Sequence, residues 1–518
     1  MIFLLALIFL FLAVPFFKTD SRILTSGLIA VLSASVLIFT CFPKAGKIRL
    51  SFKEKNFFLI SSFIYILYFI ILLYFDFKNF YLADYDYTSI AEVLLETSRG
   101  RFFRVHHTGD MDRANFLAHH FSPGLILAVP FTLIGHRIFY GISLISFTAL
   151  SLFIYSRILK FFPFYQRKIL FLFFLTNLFT FRLHSSYHFE IMILSFFLIF
   201  LHGYLSKNRM TEVSGYILCI LMKEDMAVYF SLLSFYFLCK KEYRRFLLIL
   251  SSSFLHFFLT VPFFQSFADP SARENWLHAY SYLGSSPGQA ALSILKNPSV
   301  IAERFNFKVW KQFGAGFGFS PFISPLYWIS VLPVQILHFL SDRKWHSEIY
   351  NYYCYTLIGN FLFSFLKSIS EINSVLKNRK RKLLLACCIF IVSFYQSSRD
   401  SDFPRKFRME KTEPERYTNI ISLTAMIPPG KEVSAGFDLG SFILNGNPVY
   451  PLKIHSLKEY VLIDEKSFSP YLDQGSVFRQ LDNPENQYVI IQKKGSASLY
   501  RNCPVKDKDC RQGREHSN

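Results

Sequence analysis

Long apolar runs broken by short clusters of Lys and Arg make up most of this chain. Runs over 2–17, 23–42, 57–75, 138–156, 190–205, 246–264, 351–369 and 383–397 approach or reach the length of about 20 residues that spans a hydrocarbon core. Shorter runs lie at 121–135, 169–181, 212–222, 226–239, 313–323 and 326–340. These predict half-helices, broken helices or short spans around a cavity, because irregular backbone survives at membrane depth only under protein or water. The first run lacks a basic leader and a small-residue cleavage site, and Lys18 follows it. It predicts a retained helix and not a signal peptide.

The basic clusters orient the runs, since Lys and Arg accumulate on the cytoplasmic side. Lys44, Lys47, Arg49, Lys53 and Lys55 place the loop after the second run inside, and the third helix then delivers 76–120 outside. Arg157, Lys160, Arg167 and Lys168 mark the next inside loop, which leaves 121–135 to dip in without spanning. Run 169–181 goes out and 190–205 returns to Lys207 and Arg209. Lys240, Lys241, Arg244 and Arg245 are again inside, so the stretch between is a hairpin whose outer turn is Lys223, Glu224 and Asp225. The helix from 246 goes out and leaves 265–312 outside. The last inside cluster, Lys377, Arg379, Lys380, Arg381 and Lys382, requires 313–340 to be a broken pair. The polar tail from 398 is then outside.

The tail reads as a small α/β unit. A helical pattern over 415–427 ends at Pro428, Pro429 and Gly430, and strand-like runs follow at 431–436, 447–452, 460–464 and 487–492. The expected fold is an all-α polytopic membrane bundle of about 11–13 transmembrane helices with a small C-terminal α/β extramembrane domain. Its parts are N-terminal helices over 1–76, a first outer loop over 77–120, a polytopic core over 121–397 and the tail over 398–518.

Composition supports a lipid-facing surface. Hydrophobic residues fill 52% of 518 positions, with 63 Phe and 29 Tyr, and the mean hydropathy is +0.30. The net charge of +20 sits in the loop clusters, and no basic motif has nucleic-acid geometry. Nucleic acid is therefore excluded as a partner. Cys41, Cys219, Cys239, Cys354, Cys387 and Cys388 lie in or beside apolar runs and read as buried thiols. Cys503 and Cys510 lie in the polar tail and could pair outside the cytoplasm. No zinc spacing, phosphate-binding glycine loop or internal repeat is present.

On this topology the polar residues near the membrane gather on one face: Asp84 and Asp86, His119 and His120, His184, His188 and Glu190, then Lys223, Glu224 and Asp225. Ionisable residues at that depth usually line a cavity or pathway. Asp84 and Asp86 could serve as general base or metal ligand, or be solvated loop acids. His119 and His120, before Ser122-Pro123, could bind phosphate oxygens or shuttle a proton, while the Ser-Pro pair could simply start a helix. Glu190 could line a site or merely suit a helix N-terminus. Lys223-Glu-Asp225 interrupts an apolar hairpin, either as a site or as charges satisfying one another. The outer segment Tyr280-Ser-Tyr-Leu-Gly-Ser-Ser-Pro287 could cover a site or contact a sugar face, or be a lid packed on the membrane surface.

These residues resemble a family of prokaryotic membrane proteins catalogued as domain of unknown function 2079 and grouped with the GT-C glycosyltransferases. The resemblance runs through Tyr85-Asp86, Gly100-Arg-Phe-Phe103, His120-Phe-Ser-Pro123, His188-Phe-Glu190, Lys223-Glu-Asp225, Tyr280-Ser-Tyr-Leu-Gly284, Asn297-Pro298 and Tyr460-Val-Leu-Ile-Asp464. The chain departs from the family pattern at Ala91, His119, Phe189 and Tyr352. The resemblance implies a GT-C-like fold and transfer of a sugar from a polyprenyl-phosphate donor on the outer face of the bacterial cytoplasmic membrane. Asp86 matches the essential acid of the first outer loop. His120, His188, Glu190, Lys223, Glu224 and Asp225 are then substrate-binding. Membrane lipid and the polyprenyl-phosphate-linked sugar are the expected partners. No cofactor is fixed, a divalent metal is left open, and so is the oligomeric state. A transporter or flippase, or a non-catalytic membrane protein, remains the alternative on the sequence alone.

Overall fold

The computed structural model describes residues 52–80, 82, 85–106, 115–135, 137–266, 276–349, 351–400, 414–436, 438–444, 446–452, 457–467, 474–483 and 487–503. The expected helices at 2–17 and 23–42, and Asp84, lie outside the described residues.

Helix α1, Phe52–Lys78, is apolar along most of its length and ends on Asp76 and Lys78. Its 27 residues extend about 40 Å at 1.5 Å each, more than a hydrocarbon core requires. Helix α2, Tyr85–Ser98, follows and carries Asp86 in its first turn. Among the described residues three helical stretches are long and apolar enough to cross a membrane: Glu54–Lys78, Phe139–Phe161 and Tyr243–Ser266. The second contains α3, Phe139–Ile158. Shorter apolar helices occupy Pro123–Ile134, Glu190–Ser206, Met226–Cys239 and Leu326–Phe339.

The short runs are broken where the sequence supplies a cap or a proline. Asn177 ends α4, Phe164–Thr176, and begins α5, Leu178–His184, by accepting from the Phe179 and Thr180 amides. Pro123–Ile134 is a 3-10 helix that starts on Pro123 and stops at Gly135, whose φ of +66° a residue with a Cβ adopts only under strain. Helices α6, Glu190–Ser206, and α7, Arg209–Met222, form a tight pair. A Cβ on Gly215 would lie 2.2 Å from the Phe200 amide, and one on Gly203 would lie 2.2 Å from the Glu212 amide. Small residues thus let the two backbones touch. Next come α8, Met226–Cys239, and α9, Tyr243–Leu255, which a π-turn over His256–Thr260 joins to α10, Val261–Ser266.

Region 313–340 is not one helix. It contains the end of α11, Phe307–Gly316, a tight turn at Ser320–Phe322, and α12, Pro325–Phe339. Two long helices complete the bundle: α13, Tyr355–Val375, and α14, Arg379–Asp400.

Contacts tie the sequence's basic clusters together at one end of the bundle. Arg167 lies 3.6 Å from Glu54. Gln166 donates to the Lys382 carbonyl at 2.7 Å and shares two amide hydrogen bonds with Asn373. Lys240 donates to Glu371 at 3.3 Å, and Arg245 to Glu212 at 2.5 Å.

The C-terminal domain packs at the opposite end, against α2. Helix α15, Pro414–Thr424, leads into β1, Val433–Ala435; α16, Gly440–Ile443; β2, Val449–Pro451; β3, Tyr460–Asp464; α17, Gln474–Asp482; β4, Tyr488–Lys494; and β5, Ala497–Asn502. The sheet order is β2-β1-β3-β5-β4, with β1 parallel to β2 and β3, and β5 antiparallel to β3 and β4. Phe442 stacks on Phe77 with ring centroids 4.7 Å apart. Arg416 donates to Asp464 at 2.5 Å and Asp438 at 2.9 Å, and its guanidinium covers the Phe80 ring at 4.0 Å. Burial lifts the Asp438 carboxyl above its ordinary range, against the opposing pull of the Ser467 hydroxyl and Arg416.

The thiols depart from the expectation of uniform burial. Cys219 and Cys354 are buried, but Cys239 and Cys388 are exposed on helix surfaces and Cys387 is half-buried. An apolar run in a bundle has a lipid side as well as a packed side, and composition does not distinguish them. Cys503 is disulfide-bonded.

Candidate functional site

The site forms where four chain segments meet at the end of the bundle beneath the C-terminal domain. Helix α2 brings Asp86, with its side chain 51% exposed. The segment between α5 and α6 brings His188 and Glu190. Tyr187 turns the chain there with a φ of +57°, a left-handed backbone that costs a non-glycine residue about 1–2 kcal/mol. Its hydroxyl donates to Asp76 at 2.9 Å, which fixes the turn to the end of α1. His120 leaves the one-turn helix Phe116–His119 with an extended backbone. The Ser122-Pro123 pair then starts the 3-10 helix. Gly124 lets that helix approach α7, since a Cβ there would lie 2.5 Å from Met222 Sδ. That contact sets His120 beside the turn Lys223–Asp225.

Seven of the residues singled out from the sequence, Asp86, His120, His188, Glu190 and Lys223–Asp225, form one connected cluster. His188 Nδ1 lies 3.9 Å from Asp86 Oδ2 and 3.8 Å from Glu190 Oε2. Lys223 Nζ donates to Glu190 Oε1 at 2.7 Å, with both side chains more than nine-tenths buried. Glu224 Oε1 accepts from His120 Nδ1 at 2.9 Å, and its Oε2 accepts from the Phe121 amide at 3.0 Å. An ionised carboxylate only accepts, so this contact puts the His120 proton on Nδ1. Asp225 accepts from the Tyr355 hydroxyl. Each residue of the 223–225 turn thus has a partner on another segment.

Tyr355 is the residue that sequence reasoning missed. It caps the cluster from the start of α13, and Lys223 Nζ lies 4.7 Å above its ring. In a chain with 29 Tyr, one tyrosine at the head of an apolar run carries no signal of its own. His184 belongs elsewhere: its Nδ1 pairs with the Tyr65 hydroxyl at 3.0 Å among aromatic core residues. The outer segment over 276–283 packs on the end of α12, where Tyr280 and Tyr282 donate to the Leu337 and Leu340 carbonyls.

The far end of α2 is braced. Glu96 accepts from Arg101, at 2.6 Å for one of two bonds, and from Arg99 at 3.1 Å. Burial alone would raise the Glu96 carboxyl, but Arg101 and then Arg99 hold it below its ordinary value. Thr97 accepts from the Phe103 amide at 3.0 Å, which closes the turn through Gly100.

Chemically, the cluster offers an accessible carboxylate beside an imidazole, a second imidazole oriented by a carboxylate, and a buried ammonium. Such a set can accept a proton, hold hydroxyl groups and meet a developing negative charge. Among the described residues no group of three or more His, Cys, Asp or Glu is arranged to hold a metal ion.

Fold and site together define a polytopic helical membrane protein with a charged cluster under an extramembrane α/β domain. The chain belongs to the family described as "Predicted membrane protein (DUF2079)", which it matches over residues 76–494. No curated protein matches the chain. Among solved structures it is similar to the crystal structure of ArnT from Cupriavidus metallidurans bound to undecaprenyl phosphate, at 11% identity and a TM-score of 0.44, covering 85% of this chain and 98% of that chain.

Proposed function

We propose that this chain is a GT-C-like glycosyltransferase that takes a sugar from a polyprenyl-phosphate donor on the outer face of the bacterial cytoplasmic membrane. The observation that carries the reading is the meeting of Asp86, His188, Glu190 and Lys223 in one chain of contacts at the end of the bundle away from its basic loops. The grouping of the family with GT-C enzymes supports the same reading. Asp86 is the general base: its carboxylate is accessible, and it takes the proton of an acceptor hydroxyl as that oxygen attacks the anomeric carbon. The bond from the anomeric carbon to the donor phosphate breaks, and the lipid phosphate leaves with the electron pair.

The roles of the remaining residues follow from their partners. Glu190 already balances the Lys223 charge, so the ammonium serves mainly to hold Glu190 and the 223–225 turn in place. His188, between Asp86 and Glu190, and His120, held by Glu224, are the groups that meet the phosphate or the sugar hydroxyls.

The test is Asp86→Asn in the full chain, with membrane insertion followed separately. The expected outcome is normal insertion and loss of glycan transfer. Normal glycan production in that variant would remove Asp86 from the mechanism. Labelling of cysteines placed at 223–225 from both faces of the membrane would favour a transporter instead.

A further inference from the structure

We propose that the C-terminal α/β domain holds Asp86 in register with His188, and that Glu92 is the positioning residue through which it does so. The functional weight of this inference rests on the reading of Asp86 above. Its structural content does not.

Glu92 lies further along α2 than Asp86 and is 3% exposed. Its carboxylate is shared by two segments. Oε2 accepts from the His106 amide at 2.8 Å, and Oε1 accepts from His106 Nδ1 at 2.8 Å and from the Val449 amide of β2 at 3.4 Å. A buried carboxylate persists only with such donors, and hydrogen bonds to a charged acceptor are the stronger kind. The His106 ring also packs on Tyr450, with centroids 5.1 Å apart. One turn nearer Asp86, Thr88 presses on Gly440 of α16, where a Cβ would lie 2.7 Å from Thr88 Cγ2 and 2.9 Å from its Oγ1.

The opposite side of α2 is fixed to the bundle. The Tyr87 hydroxyl accepts from the Gly141 amide at 3.2 Å, and the Tyr87 ring lies 4.9 Å from Tyr140. Helix α2 is thus clamped between bundle and C-terminal domain. Asp86 projects from its first turn, half exposed, at 3.9 Å from His188. The distance from Asp86 to His188 depends on the C-terminal domain, because releasing one jaw of the clamp lets α2 tilt. Displacement of about 1 Å in a reacting group can cost roughly 100-fold in rate.

The experiment follows the first turn of α2 against a fixed point on the bundle. Spin labels are placed at Asp86→Cys and Val375→Cys, both exposed, in the full chain with its other free cysteines replaced, and the inter-label distance is read by electron spin resonance in nanodiscs. The parent chain is expected to give a narrow distribution. Glu92→Ala and Gly440→Ala are each expected to shift and broaden it, the first by removing the shared acceptor and the second by wedging α16 off Thr88. Adding Thr88→Ala to Gly440→Ala removes the obstructing atoms and is expected to restore the narrow distribution. An unchanged distribution in both single variants would overturn the proposal, as would a broadened one that Thr88→Ala fails to restore. Should Glu92→Ala not insert, the Gly440 pair decides alone. In a transfer assay with Asp86 intact, Glu92→Ala is expected to lower kcat with KM held. The resonance readout needs no catalysis, so a transfer-competent Asp86→Asn would sink the proposed function and leave this result standing.

Discussion

Lys223 and Glu190, 33 residues apart in sequence, meet at 2.7 Å with both side chains nearly sealed from solvent. The pair joins the 223–225 turn to the head of α6, and through His188 to Asp86. A buried ion pair adds little net stability when intact and is costly to half-remove. Lys223→Met is therefore expected to lower stability by about 3–5 kcal/mol, because Glu190 is left buried and charged without its ammonium partner. The double variant Glu190→Gln/Lys223→Met is expected to recover most of that loss. Thermal unfolding in detergent checks both. A double variant no more stable than Lys223→Met would show that the pair is not the interaction that matters.

The Glu224–His120 contact predicts energetic coupling. Each single replacement by Ala removes the same hydrogen bond, so the two effects should not add. A double-mutant cycle on stability is expected to return a coupling of about 1.5–3 kcal/mol, the range for hydrogen bonds to charged groups. Additive losses would mean that the two side chains act separately.

Acid should loosen the end of α2. Arg101 and Arg99 hold the Glu96 carboxyl below its ordinary value despite burial, so the folded state favours the ionised form. The sign follows: this contribution is fully present above the ordinary carboxylate pKa and is lost as pH falls through the lowered folded value. Proteolysis within 99–106 is expected to accelerate below about pH 4. Glu96→Gln should show the faster cleavage already at neutral pH and little further response to acid.

Close backbone packing makes Gly215 intolerant of any side chain. Gly215→Val would drive its Cβ into the Phe200 amide and should destabilise by roughly 1–3 kcal/mol or more. The same change at Gly288, which has open space around it, should be nearly silent. Expression yield and melting temperature of the two variants give the comparison.

Sidedness follows from two sets of contacts. The basic segments meet one another at one end, and the C-terminal domain meets α2 at the other. A topology reporter fused at residue 450 is expected to report the extracytoplasmic side. A cytoplasmic signal would place the charged cluster on the inner face.

The cluster was legible because a charge inside an apolar run is conspicuous. His188, Glu190 and Lys223–Asp225 stand out against their neighbours without any knowledge of partners. The pairings were not legible. Whether Lys223 answers Glu190 or its neighbours Glu224 and Asp225 depends on how α6 and α7 pack, and that depends on Gly203 meeting the Glu212 backbone and Gly215 meeting that of Phe200. Tyr355 was hidden by abundance, and Glu92 by its place in an ordinary amphipathic helix. In the tail, four strand-like runs were visible, but β5 was not. Its Ala497-Ser-Leu-Tyr-Arg-Asn502 lacks the apolar run of its neighbours and is a strand only because β3 and β4 flank it. The break between α11 and α12 was demanded by charge parity before any helix end was visible.

Glu92 and the Val449 amide that completes its coordination are 357 residues apart. A chain threaded into the membrane from its N-terminus displays the acid-bearing helix early and the strand that clamps it almost last. Nearly the whole bundle must be threaded in between. A protein interrupted before its final sheet would therefore have its helices in place and its working end unfinished.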